Sequence, residues 1–364
     1  MDRLNVGVLG VGAAGMEFIR GLDRHPYFQI TGLYGNSTAG ARLEEVVDIE
    51  QGMLEETRSI KIKRIGELGS GLDLVCSALP SDAARQIEAE CAKHTPVIST
   101  SSAYRYEPDV PIIITELNAE HYRILELQRE RGWAGWILPG PNCTTVGLAM
   151  SLFPLYREFG IKKVVMSSYQ AVSGAGKEKL DLWSNQRTSG LPFPINGTAD
   201  GLVIEGNAIP FIAQEESKVR TETLKVLGGY AGNGLVPANF GIDCICVRIP
   251  VYAGHLESVF VDTEREATVP QVIEAYSRFN IQSFDKFGSL PSSPLNVITL
   301  DYDVPQPRLH ANLDGGMTAV VGRLDQTGSG LKYVVLSNNL QRGAAKGIIL
   351  AAEYLYNTGF LKRK

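Results

Sequence analysis

The first 140 residues alternate between short apolar runs and segments with helical spacing. Four apolar runs predict β-strands, at residues 4–10, 28–35, 72–80 and 95–100. Two segments between them place apolar side chains on one side of a helix, at residues 16–22 and 82–94. Because strands that alternate with helices form parallel sheets covered on both faces, this part of the chain predicts a doubly wound α/β fold.

The pattern of apolar positions changes after residue 140. Three long strand-like runs follow, at residues 162–173, 242–263 and 316–339. The last of them contains QTGSG, which predicts a turn between two strands. Since few helices separate them, they predict a mixed or antiparallel sheet in an α+β arrangement. The closing segment, residues 341–359, predicts a helix of ~15–18 residues that ends at Gly359 and packs on the first sheet.

The composition indicates a globular protein of two domains. The chain has 364 residues, more than one core usually organises, with 44% hydrophobic and 21% charged residues and a formal net charge of −5. This balance does not favour a nucleic-acid partner, and no apolar stretch approaches the ~20 residues of a membrane-spanning helix. The N-terminus shows no secretory signal pattern, and five scattered cysteines do not predict disulfides. We therefore expect a cytoplasmic protein with reduced thiols.

A glycine-rich turn joins the first predicted strand to the first predicted helix. The sequence GVGAAG, residues 10–15, has the GxGxxG pattern of dinucleotide-binding folds. Its glycines allow a tight turn and let backbone N–H groups approach a pyrophosphate at the helix N-terminus. The alternative is a close contact between strand and helix without a ligand. We predict dinucleotide binding by Gly10, Gly12, Ala13, Ala14 and Gly15.

The loop after the second strand indicates which dinucleotide binds. NAD-specific folds usually end this strand with an acidic residue that bonds the ribose 2′-hydroxyl. Here no acidic residue occurs between Asp23 and Glu44. Neutral donors and one cation suit a 2′-phosphate instead, and the alternative is a solvated polar loop. We therefore predict NADP rather than NAD, bound by Asn36, Ser37, Thr38 and Arg42.

Cys143 lies in a polar, turn-forming frame, GPNCTTVG. A helical pattern begins at this residue, so its thiol is expected at the positive end of a helix, where the dipole favours a thiolate. A nucleophilic cysteine requires such thiolate character. The alternative is a buried cysteine in a cap region. We predict that Cys143 is a nucleophile.

Two histidines are candidates for a general acid/base. His255 follows a glycine within a predicted strand, and a histidine at such an interruption can face a cleft. His310 lies in a polar loop, and the pattern does not decide between the two. Arg248 precedes His255 in the same predicted strand and is a candidate carboxylate clamp. The pair Cys244 and Cys246 lacks further ligands at metal-site spacing, so we expect packing residues there and no metal.

Six blocks of the chain together resemble the aspartate-β-semialdehyde dehydrogenase family. They occur in the order of that family between residue 4 and about residue 355. The blocks are SSAYRYEPDVPIIITELN, GPNCTT, YQAVSGAGKE, EESKVRTETLKVL, VRIPVYAGHLESVFV and NNLQRGAAKGIILAAE. The resemblance implies a Rossmann-type NADP-binding domain of residues 1–140 and 340–364. It also implies a catalytic and dimerisation domain of residues 141–339, in a homodimer or homotetramer.

The resemblance also implies roles for individual residues. Cys143 is the nucleophile, His255 rather than His310 is the general acid/base, and Gln170 orients the cysteine-bound intermediate. Arg248 and Glu215 bind the carboxylate and amino end of the substrate. The implied phosphate pocket consists of Arg105, Asn142 and Lys218. The residues implied near the nicotinamide ribose and carboxamide are Ser173, Gly174, Gly176 and Asn339.

The implied reaction is the NADPH-dependent conversion of β-aspartyl phosphate to aspartate β-semialdehyde through a cysteine thioester. The glycine turn is one residue shorter than the GxxGxxG of the family, and the loop after the second strand matches only partly. One alternative is malonyl-CoA reductase, which shares the scaffold but needs room for CoA and no phosphate pocket. Another is a non-catalytic nucleotide-binding paralogue, which has little reason to retain these site residues together.

Overall fold

The apolar runs of the first part of the chain form a six-stranded parallel sheet. The structure is a computed structural model that describes residues 3–47, 52–189, 202–232 and 234–363. The strands are β1 (Leu4–Leu9), β2 (Phe28–Tyr34), β3 (Ile62–Lys63), β4 (Leu74–Ser77), β5 (Val97–Ser99) and β6 (Ile137–Pro139). Their order, β3-β2-β1-β4-β5-β6, is that of the doubly wound dinucleotide-binding fold. The strands β3 and β6 were not predicted, because a run of two or three residues is too short to show a strand periodicity.

Helices and 3₁₀ turns connect these strands. The helices are α1 (Ala13–Leu22), α2 (Leu43–Val46), α3 (Glu55–Arg58), α4 (Ser81–Ala92) and α5 (Thr115–Asn118). The 3₁₀ segments of this part are Ile65–Glu67 and Ala119–Arg131. The first of these helices buries Phe18 and Ile19 against the sheet, as the helical spacing predicts.

The second part of the chain forms a mixed sheet. Its strands and a small hairpin are β7 (Ile161–Gln170), β8 (Gly229–Tyr230), β9 (Leu235–Val236), β10 (Gly241–Arg248), β11 (His255–Thr263), β12 (Ile298–Thr299), β13 (Ala319–Gln326) and β14 (Gly330–Ser337). The order in the large sheet is β10-β7-β11-β14-β13-β12, with β8 and β9 paired separately. β10 runs parallel to β7, whereas β11 and β14 pair with their neighbours antiparallel. The predicted fold class is therefore confirmed.

The prediction of one strand over residues 242–263 is wrong. The run divides into β10, which ends at Arg248, and β11, which begins at His255, and β7 lies between them in the sheet. Pro250 lies in the connection, and Gly254 has a φ of +95°, a conformation that interrupts a strand. Arg248 and His255 therefore approach each other across the sheet and not along one strand.

Three helices pack on one face of the mixed sheet: α6 (Cys143–Phe159), α8 (Glu215–Val226) and α9 (Val269–Phe287). The connections also contain α7 (Lys177–Ser189), α10 (Pro307–His310) and 3₁₀ turns at Val172–Ala175 and Leu313–Gly316. Buried side chains of α6, such as Leu148 and Leu152, pack with Val164 and Val259 of the sheet. This burial fixes the N-terminus of α6 at the edge between the two sheets.

The last helix, α11 (Ala345–Asn357), returns to the first sheet as predicted. Ile348 and Ile349 pack with Phe18 and Ile19 of α1. The helix has 13 residues, fewer than the ~15–18 expected from its spacing, because residues 341–344 form turns before it begins. No helix among the described residues is long and apolar enough to span a membrane.

Candidate active site

Cys143 is the first residue of α6, directly after its N-cap. Asn142 caps the helix, because its Oδ1 accepts hydrogen bonds from the backbone N–H groups of Thr144 (2.9 Å) and Thr145 (3.1 Å). The prediction that a helix begins at Cys143 is confirmed. The cap leaves Asn142 Nδ2 as a donor, which bonds Glu215 Oε1 at 3.0 Å. The polar frame of the cysteine is therefore a capping structure held by α8.

His255 faces the thiol of Cys143. Its Nε2 lies 3.3 Å from Cys143 Sγ, although the two residues are 112 positions apart. The backbone N–H of Ala171 donates to His255 Nδ1 at 3.1 Å, so this nitrogen is an acceptor and carries no hydrogen. In the neutral ring the hydrogen is therefore on Nε2 and points at the sulfur. His310 instead accepts from the N–H of Gln306 and stacks on Tyr302.

The protonation of this pair is set mainly by burial. Desolvation raises the pKa of Cys143 to about 12, with a further contribution from Glu215, while Arg248 and Arg105 act in the opposite direction. Desolvation and the charge of Arg248 lower the pKa of His255 to about 3. At neutral pH the pair is therefore a thiol and a neutral imidazole. Desolvation therefore opposes the thiolate that the helix N-terminus favours.

The pH dependence of alkylation tests this protonation state. Because only the thiolate reacts, we expect alkylation of Cys143 by iodoacetamide to be slow at pH 7 and to accelerate about tenfold per pH unit through pH 10. The measurement is mass spectrometry of the peptide that contains Cys143. A rate that levels off near pH 7 would contradict the raised pKa.

Arg248 closes one side of the pair. It is the last residue of β10, and its Nη1 donates to the carbonyl oxygen of Ala171 at 2.6 Å. A Cβ on Gly174 would lie 3.3 Å from both Arg248 Nη1 and the His255 ring, so this glycine lets the backbone approach both side chains. Gln170 ends β7, is buried and donates to Ser168 at 3.1 Å. Ala171 thus orients the two groups that flank the cysteine.

The residues of the predicted phosphate pocket come from three segments. Arg105 is buried, and its Nη2 donates to the carbonyl oxygen of Thr100 at 3.0 Å. Its Nε is buried and has no hydrogen-bond partner among the described residues. Lys218 lies one turn after Glu215 on α8 and is half-buried. Asn142, the third residue of the predicted pocket, also caps α6 and bonds Glu215.

The glycine turn after β1 has the geometry that a pyrophosphate needs. Gly10 has a φ of +84°, and a Cβ on Gly15 would lie 1.8 Å from the carbonyl oxygen of Gly10. Gly12 is the N-cap of α1, and no side chain caps this helix. Its first N–H groups, beginning at Ala13 and Ala14, therefore remain available to an anion. These residues fit a dinucleotide.

The other predicted cofactor residues lie in two groups. In the loop after β2, Asn36, Ser37 and Arg42 are exposed, while the hydroxyl of Thr38 is buried without a described partner. On the catalytic side, Asn339 Nδ2 donates to Ser173 Oγ at 2.9 Å, and its Oδ1 accepts from the N–H of Gly254 at 2.8 Å. Gly176 follows the 3₁₀ turn that contains Ser173, and its φ of +87° is a conformation that favours glycine.

Three residues of the site were not identified from the sequence. Gly343 approaches the nucleophile so closely that a Cβ there would lie 2.9 Å from the Cα of Cys143. Ala171 acts through backbone atoms, which no residue pattern reveals. Glu222 is a helix residue whose carboxylate bonds Asn142 and Arg105. Only Gly343 had a usable signal, as a glycine within the closing block.

Two domain profiles match the chain. The semialdehyde dehydrogenase NAD binding domain matches residues 5–124, and the semialdehyde dehydrogenase dimerisation domain matches residues 152–342. Together they cover most of both sheets, and strand β6 and Cys143 lie between the two matched ranges.

Similar proteins of nearly the same length match over the whole chain. An aspartate-semialdehyde dehydrogenase of Methanothermobacter thermautotrophicus is 39% identical, covering 97% of this chain and 99% of its own length. A malonyl CoA reductase (NADP) of Metallosphaera sedula is 30% identical and covers 99% of both chains. The crystal structure of aspartate semialdehyde dehydrogenase with NADP from Candida albicans superposes with a TM-score of 0.82, at 29% identity, covering 98% of this chain and 99% of that one. The resemblance read from the sequence is thereby confirmed: the chain belongs to the semialdehyde dehydrogenase family.

Proposed function

We propose that the protein is an NADP-dependent aspartate-semialdehyde dehydrogenase. In the biosynthetic direction it converts β-aspartyl phosphate to aspartate β-semialdehyde, a step toward lysine (through diaminopimelate), threonine and methionine. The observation that carries the proposal is the contact of Cys143 Sγ with His255 Nε2 at 3.3 Å, at a helix N-terminus flanked by Arg248 and Arg105. A thiol, a hydrogen-bond donor and two cations are what thioester chemistry on an anionic acyl phosphate requires.

Cys143 is the group that forms the covalent bond. As Sγ bonds to the acyl carbon, the C–O bond to phosphate breaks, and inorganic phosphate leaves with that electron pair and takes up the thiol proton. The NADPH cofactor, when bound, supplies a hydride to the thioester carbon. The C–S bond then breaks, and the sulfur takes its electron pair. His255 Nε2–H, which points at the sulfur, stabilises this returning negative charge, which is the acid side of its predicted acid/base role.

The remaining predicted residues bind and orient the substrate. Arg248 is suited to a carboxylate, because Ala171 engages only Nη1 and orients the guanidinium. Glu215, which bonds Asn142, supplies negative charge for the amino end. The phosphate-binding residues in this proposal are Arg105, Asn142 and Lys218. The residue that orients the acyl group is Gln170, at the end of β7.

The cofactor is NADP(H), bound by the glycine turn, the loop after β2 and the Ser173–Asn339 pair. Support comes from the uncapped N-terminus of α1 and from the absence of an acidic residue at the end of β2. We keep the predicted division into residues 1–140 with 340–364 and residues 141–339 as part of this proposal. The cytoplasmic location stays a prediction.

A direct assay tests the proposed function. Purified protein should reduce NADP with aspartate semialdehyde only when inorganic phosphate is present, and faster than it reduces NAD. Replacing phosphate by CoA should abolish the reaction. Oxidation of NADPH with malonyl-CoA as the substrate would favour malonyl-CoA reductase, the activity named for the 30% identical relative. A protein that binds NADP but turns over neither substrate would be a non-catalytic paralogue.

The protein forms a homo-oligomer, as its match to the dimerisation domain indicates, and we propose that the basic unit is a homodimer. The face of the mixed sheet opposite α6 and α9 exposes apolar side chains on three neighbouring strands: Val165, Tyr169, Ile245 and Phe260. Monomeric proteins rarely expose such a contiguous apolar sheet face, so a second copy is the expected cover. The mass of the protein in solution distinguishes this dimer from a tetramer of two dimers.

Charge on this face should separate the subunits. We expect Phe260→Asp to shift the protein toward the 39.6 kDa chain mass, because each interface would then bury unpaired carboxylates. Light scattering after size exclusion gives the mass. Ile281→Asp, on the exposed side of α9, is the matched control and should leave the oligomer intact. If Phe260→Asp remains at the wild-type mass, the proposed interface is wrong.

A further inference from the structure

Glu222 is a fully buried carboxylate with no place in the proposed reaction. It lies on α8, two helical turns after Glu215. Three donors converge on it. Its Oε1 accepts from Arg105 Nη1 and from Tyr106 Oη, both at 3.2 Å, and its Oε2 accepts from the backbone N–H of Asn142 at 2.6 Å. No other described side chain joins Arg105 to the turn that carries the nucleophile.

We propose that Glu222 is a positioning residue that holds the phosphate-binding cation and the nucleophile turn in one fixed geometry. This inference rests on the proposed function, because it takes Arg105 as a phosphate ligand. One oxygen of the carboxylate orients the guanidinium of Arg105, and the other fixes the backbone directly before Cys143. A displacement of about 1 Å between reacting groups can cost about 10²-fold in rate. The fixed distance between Arg105 and the cysteine turn should therefore affect the rate of the step in which phosphate leaves or attacks.

The two carboxylates of α8 hold Asn142 from different sides. Glu215 bonds its side-chain amide, and Glu222 bonds its backbone N–H. The amide oxygen of Asn142 is committed to capping α6. The carbonyl oxygen of Asn142 accepts from the backbone N–H of Val146 at 3.3 Å. Every polar atom of the residue before the nucleophile is therefore hydrogen-bonded, and only one amide hydrogen is left over. The hydrogen bonds to Glu215 and Glu222 therefore also fix the direction of that amide hydrogen.

The site requires a carboxylate and not an amide at position 222. All three partners are donors, and an amide would turn its own NH₂ group toward the guanidinium or toward the backbone N–H. The buried guanidinium of Arg105 also needs a charged partner, because an isolated buried charge is strongly disfavoured. The hydroxyl of Tyr106 is also a donor to Glu222, because its partial desolvation and the nearby carboxylate raise the pKa of that hydroxyl.

Glu222→Gln and Glu222→Asp test the proposal. For Glu222→Gln we expect kcat/KM for inorganic phosphate to fall about 10- to 10²-fold, with the KM for aspartate semialdehyde unchanged. Glu222→Asp keeps the charge but is one methylene too short to reach both partners, so we expect a fall of similar size. Full activity of the Glu222→Asp variant would mean that the carboxylate only neutralises Arg105, and this result would overturn the proposal.

Matched controls separate positioning from folding. Glu216→Gln makes the same charge change at a partly exposed position earlier in α8 and should keep wild-type kinetics. Tyr106→Phe removes one donor but leaves the hydrogen bonds from Arg105 and Asn142 to Glu222 intact, so kcat/KM for phosphate should change less than about threefold. A Glu222 variant with a lowered melting temperature and unchanged kinetics would show a structural role and overturn the proposal. Failure of the wild-type protein itself to use phosphate would instead overturn the proposed function.

Discussion

Replacing Cys143 by alanine should lower the phosphate-dependent oxidation of aspartate semialdehyde by about 10⁴-fold or more, because removal of a covalent nucleophile leaves only binding and charge stabilisation. The thiol of Cys143 is the group that lies 3.3 Å from His255 Nε2. The measurement is the rate of NADP reduction with semialdehyde and phosphate at saturation. NADP binding, measured by fluorescence titration, should be unchanged.

Cys91→Ala is the matched control for this experiment. Cys91 is a buried cysteine of α4, far along the chain from the catalytic turn, and its loss should affect stability by about 1 kcal/mol and leave turnover intact. Turnover of Cys143→Ala at a rate close to that of the wild type would refute the thioester mechanism. Equal losses in both variants would indicate a folding defect instead.

Replacing Arg248 by leucine should raise the KM for aspartate semialdehyde by about 10²-fold, with a smaller effect on the KM for phosphate. A charge-assisted pair of hydrogen bonds to the substrate carboxylate is worth roughly 3 kcal/mol, which corresponds to about 10²-fold in affinity. Arg248 is held for this contact, since Nη1 is bonded to Ala171 and no described residue accepts from its other nitrogens. Steady-state kinetics with each substrate varied in turn gives both constants.

Two further variants complete the test of Arg248. Arg248→Lys keeps the charge but loses the fork geometry, so its KM should lie between those of the wild type and the leucine variant. Arg220→Leu, at an exposed position of α8, is the control for the loss of a positive charge nearby. An unchanged KM in Arg248→Leu would remove the carboxylate role from this residue.

Much of the fold could be predicted from the sequence because its signals are local. The glycine turn at residues 10–15, the start of α6 at Cys143 and the turn between β13 and β14 all depend on neighbouring residues. The family blocks then linked His255 and Arg248 to the cysteine. Their assignment to a single strand was wrong, because strand order within a sheet is not encoded in the spacing of the strands along the chain.

The protonation state of the site could not be predicted from the sequence. The position of Cys143 at a helix N-terminus suggested a thiolate, but the surrounding segments desolvate the thiol and raise its pKa to about 12. Desolvation depends on every element that covers a side chain, and here these elements come from distant parts of the chain. The tautomer of His255 depends likewise on the backbone N–H of Ala171.

By itself the sequence determined the longer elements of the first sheet, the start of α6, the last helix, the types of chemical group present and the family, because periodicity, turn residues and motifs are properties of short segments. Only the tertiary structure decided that Sγ of Cys143 meets Nε2 of His255 and that Glu222 joins Arg105 to Asn142. These contacts connect residues that are 80 to 117 positions apart. They form because the packing of α6, α8 and the mixed sheet brings their ends to one point, and that packing is a property of the whole core.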